Sequence, residues 1–265
     1  MDLTTVAVDR SELEAKVKEV YRAVAQNPEG KYHFRMGRGL AEHLGYPHRL
    51  LDAVPEGAVR SFAGVGYFFD LADLKPGERV LDLGSGSGMD VFTAALEVGD
   101  GGQVVGLDMT EPQLEKAESL RKKAGMPQVT FVKGHIEDLP FADASFDCVI
   151  SNGAINLSPD KAAVFREAAR VLRPGGRLAI ADIVTEKPLT PQIVCSTDLW
   201  AACIGGAAQA DTYRETITGN GFSLEQARRN NYEFLSDSAR AATVKYGVMS
   251  LSFLARTSNE STQTE

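Results

Sequence analysis

Val80-Leu81-Asp82-Leu83-Gly84-Ser85-Gly86-Ser87-Gly88 decides how this chain is read. The aliphatic residues around Asp82 give the short apolar run of a strand buried on both faces. Glycines at 84, 86 and 88 follow, and Met89-Asp90-Val91-Phe92-Thr93-Ala94-Ala95 opens a helix. A strand that ends in a glycine turn at a helix N-terminus lets a ligand approach bare backbone. Such a site lies at the carboxyl edge of an α/β sheet. The glycine spacing narrows the ligand. A dinucleotide fingerprint needs Gly-x-Gly-x-x-Gly, and here Met89 stands in the place of the third glycine, with Gly88 one residue early. No Gly-x-x-x-x-Gly-Lys-Ser/Thr run occurs, which excludes a P-loop.

Outward from that turn the pattern alternates. Strands are expected at residues 79–83, 103–107, 129–132, 147–151 and 177–182, with helices at 89–98, 111–124 and 161–172 between them. Thr110 before Glu111-Pro112 reads as a helix cap, and Arg173-Pro174-Gly175-Gly176 as a helix stop and turn. Residues 231–235 and 247–255 read as two closing strands joined without a helical crossover. The expected fold is α/β: a seven-stranded, doubly wound, Rossmann-like and mostly parallel sheet with an N-terminal helical lid. Residues 1–70 form that cap or lid, 71–256 the α/β domain with a substrate-side segment, and 257–265 a frayed polar tail. Within the cap, Ser11 to about Gln26 is an amphipathic helix with Ser11 as its N-cap, stopped by Asn27-Pro28-Glu29-Gly30. Ser61-Phe62-Ala63-Gly64-Val65-Gly66-Tyr67-Phe68 is a glycine-hinged apolar stretch, read equally as packing or as a loop beside the substrate.

Composition bounds the function. With 265 residues and a net charge of −8, the chain has a full core and no basic cluster for nucleic acid or an anionic membrane. No apolar run approaches the ~20 residues that cross a bilayer, and Met1-Asp2-Leu3-Thr4-Thr5 lacks a secretory signature. The expected location is the cytoplasm. The three cysteines, Cys148, Cys195 and Cys203, suit neither a disulfide framework nor a Cys-x-x-Cys metal site. No metal is expected, and the oligomeric state stays open.

Asp108 closes the argument about the ligand. It ends the second strand about 20 residues past the glycines, where an acid accepts ribose hydroxyls. A glycine turn with a ribose acid, but without a pyrophosphate loop, resembles the S-adenosylmethionine site of class I methyltransferases. Gly106-Leu107-Asp108-Met109-Thr110, Gly134-His135-Ile136-Glu137-Asp138-Leu139-Pro140 and Leu172-Arg173-Pro174-Gly175-Gly176-Arg177 match that family in order and spacing. More narrowly, Ile150-Ser151-Asn152-Gly153-Ala154-Ile155-Asn156-Leu157-Ser158-Pro159-Asp160-Lys161, residues 179–183 and residues 200–207 resemble the arsenite methyltransferase family. The resemblance implies S-adenosyl-L-methionine as cofactor. It places Asp82, Gly84, Ser85, Gly86 and Gly88 beside its methionine part, Asp108 on the ribose and Met109 on the nucleoside. Ile136 and Glu137 then flank the adenine, and Asn152 faces the methionine end. Ile136 reads equally as core, and Asp138 as a loop cap.

The acceptor side departs from that family. Arsenite methyltransferases hold As(III) through cysteine thiolates, soft ligands for a soft centre. Here Gly153 stands where the family has cysteine in its Ser-Asn-Cys segment, and no cysteine precedes Cys148. Cys203 remains, read as a ligand or as a small buried hydrophobe; Cys195 could add a second thiolate only by folding back. Methyl transfer is an in-line displacement in which the protein mainly positions the partners. A sulfur nucleophile is partly ionised near neutral pH and needs little base. The expected function is methyl transfer to a small soft acceptor such as sulfide or a thiol, with His33, Asn152 and Cys203 as the candidate catalytic residues. His48 is a second candidate base, and Tyr32, Tyr67 and Trp200 are candidate pocket aromatics. An arsenite methyltransferase with a reduced cysteine set and a silent cofactor-binding protein stand as alternatives.

Overall fold

The computed structural model describes residues 9–258 apart from Lys31, His33, Ala202, Cys203 and Ser236. Five helices come first: α1 (Arg10–Gln26), α2 (Gly37–Leu44), α3 (His48–Ala53), α4 (Glu56–Arg60) and α5 (Phe69–Ala72). Alternation then sets in with β1 (Arg79–Leu83), α6 (Met89–Val98), β2 (Gln103–Asp108), α7 (Glu111–Ala124), β3 (Val129–Lys133) and β4 (Phe146–Asn152). It continues through α8 (Lys161–Val171), β5 (Leu172–Thr185), α9 (Pro191–Val194), α10 (Thr197–Ala201) and β6 (Ala208–Gln209). The last elements are α11 (Ala210–Thr218), β7 (Phe222–Arg229), α12 (Asp237–Tyr246) and β8 (Met249–Thr257).

The sheet runs β3-β2-β1-β4-β5-β8-β7, with the two-residue β6 pairing beside β5. All pairings are parallel except those of β8 with β5 and with β7. Strand order reverses between β1 and β4, so their carboxyl ends open the crevice where open α/β sheets bind ligands. The Rossmann-like α/β architecture is as expected, with eight strands rather than seven because β6 extends the edge of β5.

The C-terminal third departs from the expected pattern. Residues 231–235 are not a strand; the strand is β7, whose Glu225, Arg228 and Arg229 charge an edge and hide the apolar alternation. Phe234 is instead buried, with its ring 5.0 Å from that of Tyr232. The connection into β8 is the helix α12, not a bare turn, and Ala242 and Tyr246 anchor it. Two cap assignments also change. Asp9, not Ser11, caps α1 by accepting from Glu12 N at 3.0 Å. Thr110 stands at the start of α7 without a side-chain cap bond, its hydroxyl being engaged with Asp108.

Two apolar layers sandwich the sheet. One joins Val80, Phe92, Ile150 and Ile183 to Leu40, Phe62, Phe68 and Phe69, so packing is continuous across residue 70. The other is built on Leu81, Val149, Phe165, Tyr213 and Phe253. A third, smaller cluster joins Leu13 and Val17 of α1 to Trp200, with Tyr21, Met109 and Leu157 packed against it. Among the described residues no helix is long and apolar enough to cross a membrane.

Candidate cofactor and acceptor site

A cavity of ≈ 380 Å³ lies over the carboxyl ends of β1, β2 and β4, within the range of small-molecule sites. Its floor is the glycine turn. Gly84 N and Ser85 N both donate to Leu107 O, at 2.8 and 3.0 Å, which folds the turn back onto β2. Gly84 has φ +76°, and a Cβ there would lie 2.3 Å from the Ala154 Cβ. Gly88, at φ +90°, ends the turn against the Phe131 ring, 2.7 Å from where its Cβ would stand. Both positions therefore need glycine for shape as well as for space. Ser85 Oγ is buried on the cavity wall and finds no hydrogen-bond partner among the described residues. That orphan fits a site that a polar ligand completes.

Of the acids that line the cavity, three stand around the glycine turn: Asp82 in β1, Asp90 in the first turn of α6 and Asp108 at the end of β2. Asp108 accepts from Gly86 N at 2.9 Å and from Thr110 N at 2.7 Å, so it shapes the turn and keeps lone pairs for a ligand. Burial raises the Asp108 carboxyl, and these backbone donors oppose it. Burial, then the charges of Asp90 and Asp108, pushes Asp82 well above the usual carboxylate range. Burial also lifts Asp90 to about 6, against the hydrogen bonds from Tyr46 and Asn152. Three acids held in a poorly solvated cleft make a strong field for a cation.

Asn152, the last residue of β4, is engaged on both ends of its amide. Its Oδ1 accepts from Val65 N at 2.7 Å and Gly66 N at 3.2 Å. Its Nδ2 lies 3.0 Å from Gly66 O, 3.0 Å from Asp90 Oδ2 and 3.1 Å from Tyr46 Oη. The Tyr46 hydroxyl in turn donates to Asp90 Oδ1 at 2.6 Å. The amide thus ties the 61–67 loop to the strand tip, and the Tyr46–Asp90 pair locks its orientation. Spacing along the chain carries no sign of Tyr46 or of Asp90 here, because their partners come from distant segments.

At the other end, Met109, Ile136 and Leu157 form an apolar slot, and Glu137 accepts from the Ser158 hydroxyl at 2.5 Å. The roof is α1, whose Leu13, Val17, Tyr21 and Val24 line the cavity. Gln113 Nε2 donates to Tyr21 O at 2.8 Å, and Lys116 Nζ to Ala25 O at 2.9 Å and Ser61 Oγ at 2.7 Å. All the expected cofactor residues line this cavity except Gly88, which holds the turn from behind.

The other candidates are placed differently. His33 and Cys203 lie outside the described residues. His48 is exposed, with Nδ1 3.3 Å from Glu42, and is no base for this cavity. Tyr32 donates to Asn27 O at 2.8 Å, closing the end of α1. Tyr67 packs on Tyr46 and Phe69, and Trp200 lies behind the slot, so neither lines the cavity. Cys148 is buried in β4, where burial pushes its thiol up to about 12; it is core.

The arrangement suits a nucleoside that carries a positive charge. The chain matches a family described as a methyltransferase domain over residues 74–230, more than half its length. It belongs to the S-adenosylmethionine-dependent methyltransferases. The arsenite methyltransferase of Halobacterium salinarum is 41% identical over 199 residues, 74% of this chain and 51% of that protein. The human arsenite methyltransferase is 44% identical over 137 residues, 48% of this chain and 36% of its own. The structure of CrArsM, an arsenic(III) S-adenosylmethionine methyltransferase from Chlamydomonas reinhardtii, aligns with a TM-score of 0.63 at 31% identity, covering 87% of this chain and 77% of that one. The match spans between 36% and 51% of the length of these curated relatives.

The raised carboxyls give a signed prediction. Below about pH 6 Asp90 holds a proton, and a cationic ligand must displace it before gaining the full attraction. The Kd for S-adenosylmethionine is therefore expected to fall by up to about tenfold between pH 5 and pH 7.5. S-adenosylhomocysteine, which lacks the sulfonium charge, should change less, and Asp90→Asn should flatten the difference. Calorimetric titrations across that range check this; equal pH slopes for the two ligands would refute it.

Proposed function

We propose that this protein transfers the methyl group of S-adenosylmethionine to a small, soft sulfur nucleophile, sulfide or a small thiol. One observation carries the choice of acceptor. Gly153, beside Asn152 on the cavity wall, has φ +73°, and a Cβ there would lie 3.2 Å from Val65 Cγ1. The wall thus offers an aliphatic contact where the arsenite family places a thiolate. Among the described residues that line the cavity there is no cysteine, so none of them offers As(III) a thiolate.

When bound, the cofactor supplies an electrophilic methyl group on a positively charged sulfur. Asp108 would hold the ribose hydroxyls, Met109 and Ile136 the adenine with Glu137 at its edge, and Ser85 and Gly86 the methionine end. Asp82 and Asp90 favour the cationic ligand over its neutral product. Asn152 fixes the loop at 61–67, and α1 closes as a lid that excludes water. The acceptor would lose its proton to solvent and take up the methyl group, and the cofactor's sulfur would keep the electron pair of the broken C–S bond. Because the thiolate is populated near neutral pH, no side-chain base is required.

A second reading is an arsenite methyltransferase with a reduced cysteine set. The identity to proteins of that name favours it, with Cys203 and Cys195 as the ligands it would use. The test is product analysis by headspace mass spectrometry with methyl-labelled S-adenosylmethionine. Parallel vials hold sulfide, methanethiol, selenide, and arsenite with glutathione. Labelled methyl sulfides without a methylated arsenic product are expected. Methylated arsenic abolished by Cys203→Ser would establish the second reading instead, and cofactor binding without any product would leave a silent binding protein.

A further inference from the structure

Behind the cavity wall a single ammonium joins elements that the cofactor site needs together. Lys161, the first residue of α8, turns its Nζ under the loop that leaves β4. It donates to Ser158 O at 2.9 Å and Asn156 O at 3.2 Å. Ala154, Leu157 and Ser158 of the same loop line the cavity. Above the ammonium lies the Trp200 ring, with its centroid 5.0 Å from Nζ. Trp200 is fixed from behind by a bond from its Nε1 to Val194 O at 2.6 Å. Gly205 and Gly206 press on the same ring, and a Cβ at Gly206 would fall 1.9 Å from Asn156 O. Trp200 also packs in one cluster with Leu13 and Val17 of α1, with Met109 and Leu157 against it. Leu13, Val17, Met109 and Leu157 all line the cofactor cavity.

We propose that Lys161 is a positioning residue that couples the roof of the cofactor cavity to the wall formed by residues 154–158. Its ammonium, seated on two loop carbonyls and under the Trp200 ring, fixes the surface on which α1 closes. An ammonium suits this place. Two carbonyls that converge repel each other until a cation lies between them, and a desolvated cation over an indole face is attracted by the ring. Burial lowers Lys161 to about 8, opposed by the charges of Asp182 and Glu137. Asp182 is held by a 2.6 Å bond from the Tyr213 hydroxyl and a 2.9 Å bond from Ile183 N. The charges of Asp182 and Glu137 thus favour the protonated lysine, and the site holds a cation below about pH 8. The coupling concerns retention of the cofactor, so it holds whichever acceptor is used.

Trp200 is the only tryptophan of the chain, so its emission reads this junction directly. The experiment compares wild type, Lys161→Met and Lys161→Arg in the full chain. S-adenosylhomocysteine dissociation is followed by stopped-flow emission and, independently, by release of labelled ligand. Lys161→Met keeps the apolar stem and removes the charge; it should speed dissociation about tenfold, with the association rate changed less than about threefold. Lys161→Arg keeps a cation that stacks on indole and should recover at least half of that loss on a logarithmic scale. Hydrogen exchange should rise over residues 10–26 in the Met variant while β1 and β2 stay protected. An unchanged dissociation rate in Lys161→Met would overturn the proposal. An Arg variant no better than Met, or exchange that rises uniformly through the sheet, would do so too, since Lys161 would then serve general stability.

Discussion

Replacing Asp108 by Ala is expected to weaken S-adenosylhomocysteine binding by about two to four orders of magnitude. Hydrogen bonds to a charged acceptor are worth ~1.5–3 kcal/mol each, and the ribose offers two. A second effect adds to the first. Gly86 N and Thr110 N both end on this carboxylate, so Ala leaves two donors unpaired in the turn that cradles the ligand. Asp108→Asn should fall between the two, because one amide oxygen serves one donor while the NH2 group faces the other. The readout that separates ribose contact from turn geometry is a deoxy analogue. Against wild type, 2′-deoxy- or 3′-deoxy-S-adenosylhomocysteine should bind at least tenfold more weakly than the parent. Against Asp108→Ala, parent and analogue should bind alike. If the analogue lost the same factor against both proteins, Asp108 would not be the ribose acceptor, and its work would lie in the turn alone.

This part of the site was legible in the sequence because its determinants are local. The β1 strand, the three glycines, the start of α6 and the acid at the end of β2 lie within one β-α-β unit. Strand order and turn chemistry then fix where they meet. The acceptor side was not legible in the same way. Asn152 meets Tyr46 across 106 residues and Val65 across 87, and no spacing rule encodes such a meeting. Tyr46 reads locally as one more aromatic before a proline, and Asp90 as a polar residue at a helix start. Only the folded sheet shows that their side chains converge. The missed strand β7 has a different cause. An edge strand facing solvent takes charged residues, which erase the alternation by which strands are recognised. The aromatic run at 231–235 kept β propensity without a partner to pair with, and its Phe234 went into the core instead. Lys161 shows the same limit, for a lysine after Pro-Asp reads as a helix start until Trp200 is seen above it.

Asn152→Ala is expected to lower kcat about a hundredfold while the Kd for S-adenosylhomocysteine changes far less. The sequence makes this residue a catalytic candidate, yet both ends of its amide are occupied by the 61–67 loop, Tyr46 and Asp90. Its work is therefore positional: it holds the wall at Val65 and Gly66 against the strand tip. A displacement of ~1 Å at such a wall costs about 10²-fold in an in-line transfer. Leaving two loop N–H groups and one carboxylate without their partner should also cost ~2–4 kcal/mol of stability, read as a lower Tm. Asn152→Asp supplies the sharper test. Its oxygen can still accept from Val65 N and Gly66 N, but a second carboxylate now stands where Nδ2 lay 3.0 Å from Asp90 Oδ2. One proton shared between the two acids satisfies both, and the pair tolerates only one charge. The Asp90 carboxyl of the wild type ionises near 6, and the added neighbour raises the second ionisation of the pair above that. Asn152→Asp should thus approach wild-type stability at pH 5 and lose it progressively above pH 6, whereas Asn152→Ala should show a deficit already at pH 5, from the orphaned Val65 and Gly66 N–H groups, that deepens further as Asp90 ionises. Thermal unfolding of the three proteins across pH 5 to 8 decides it. Parallel curves for the Asp and Ala variants would mean that Asn152 and Asp90 are not in contact, and that the loop is held by something other than this amide.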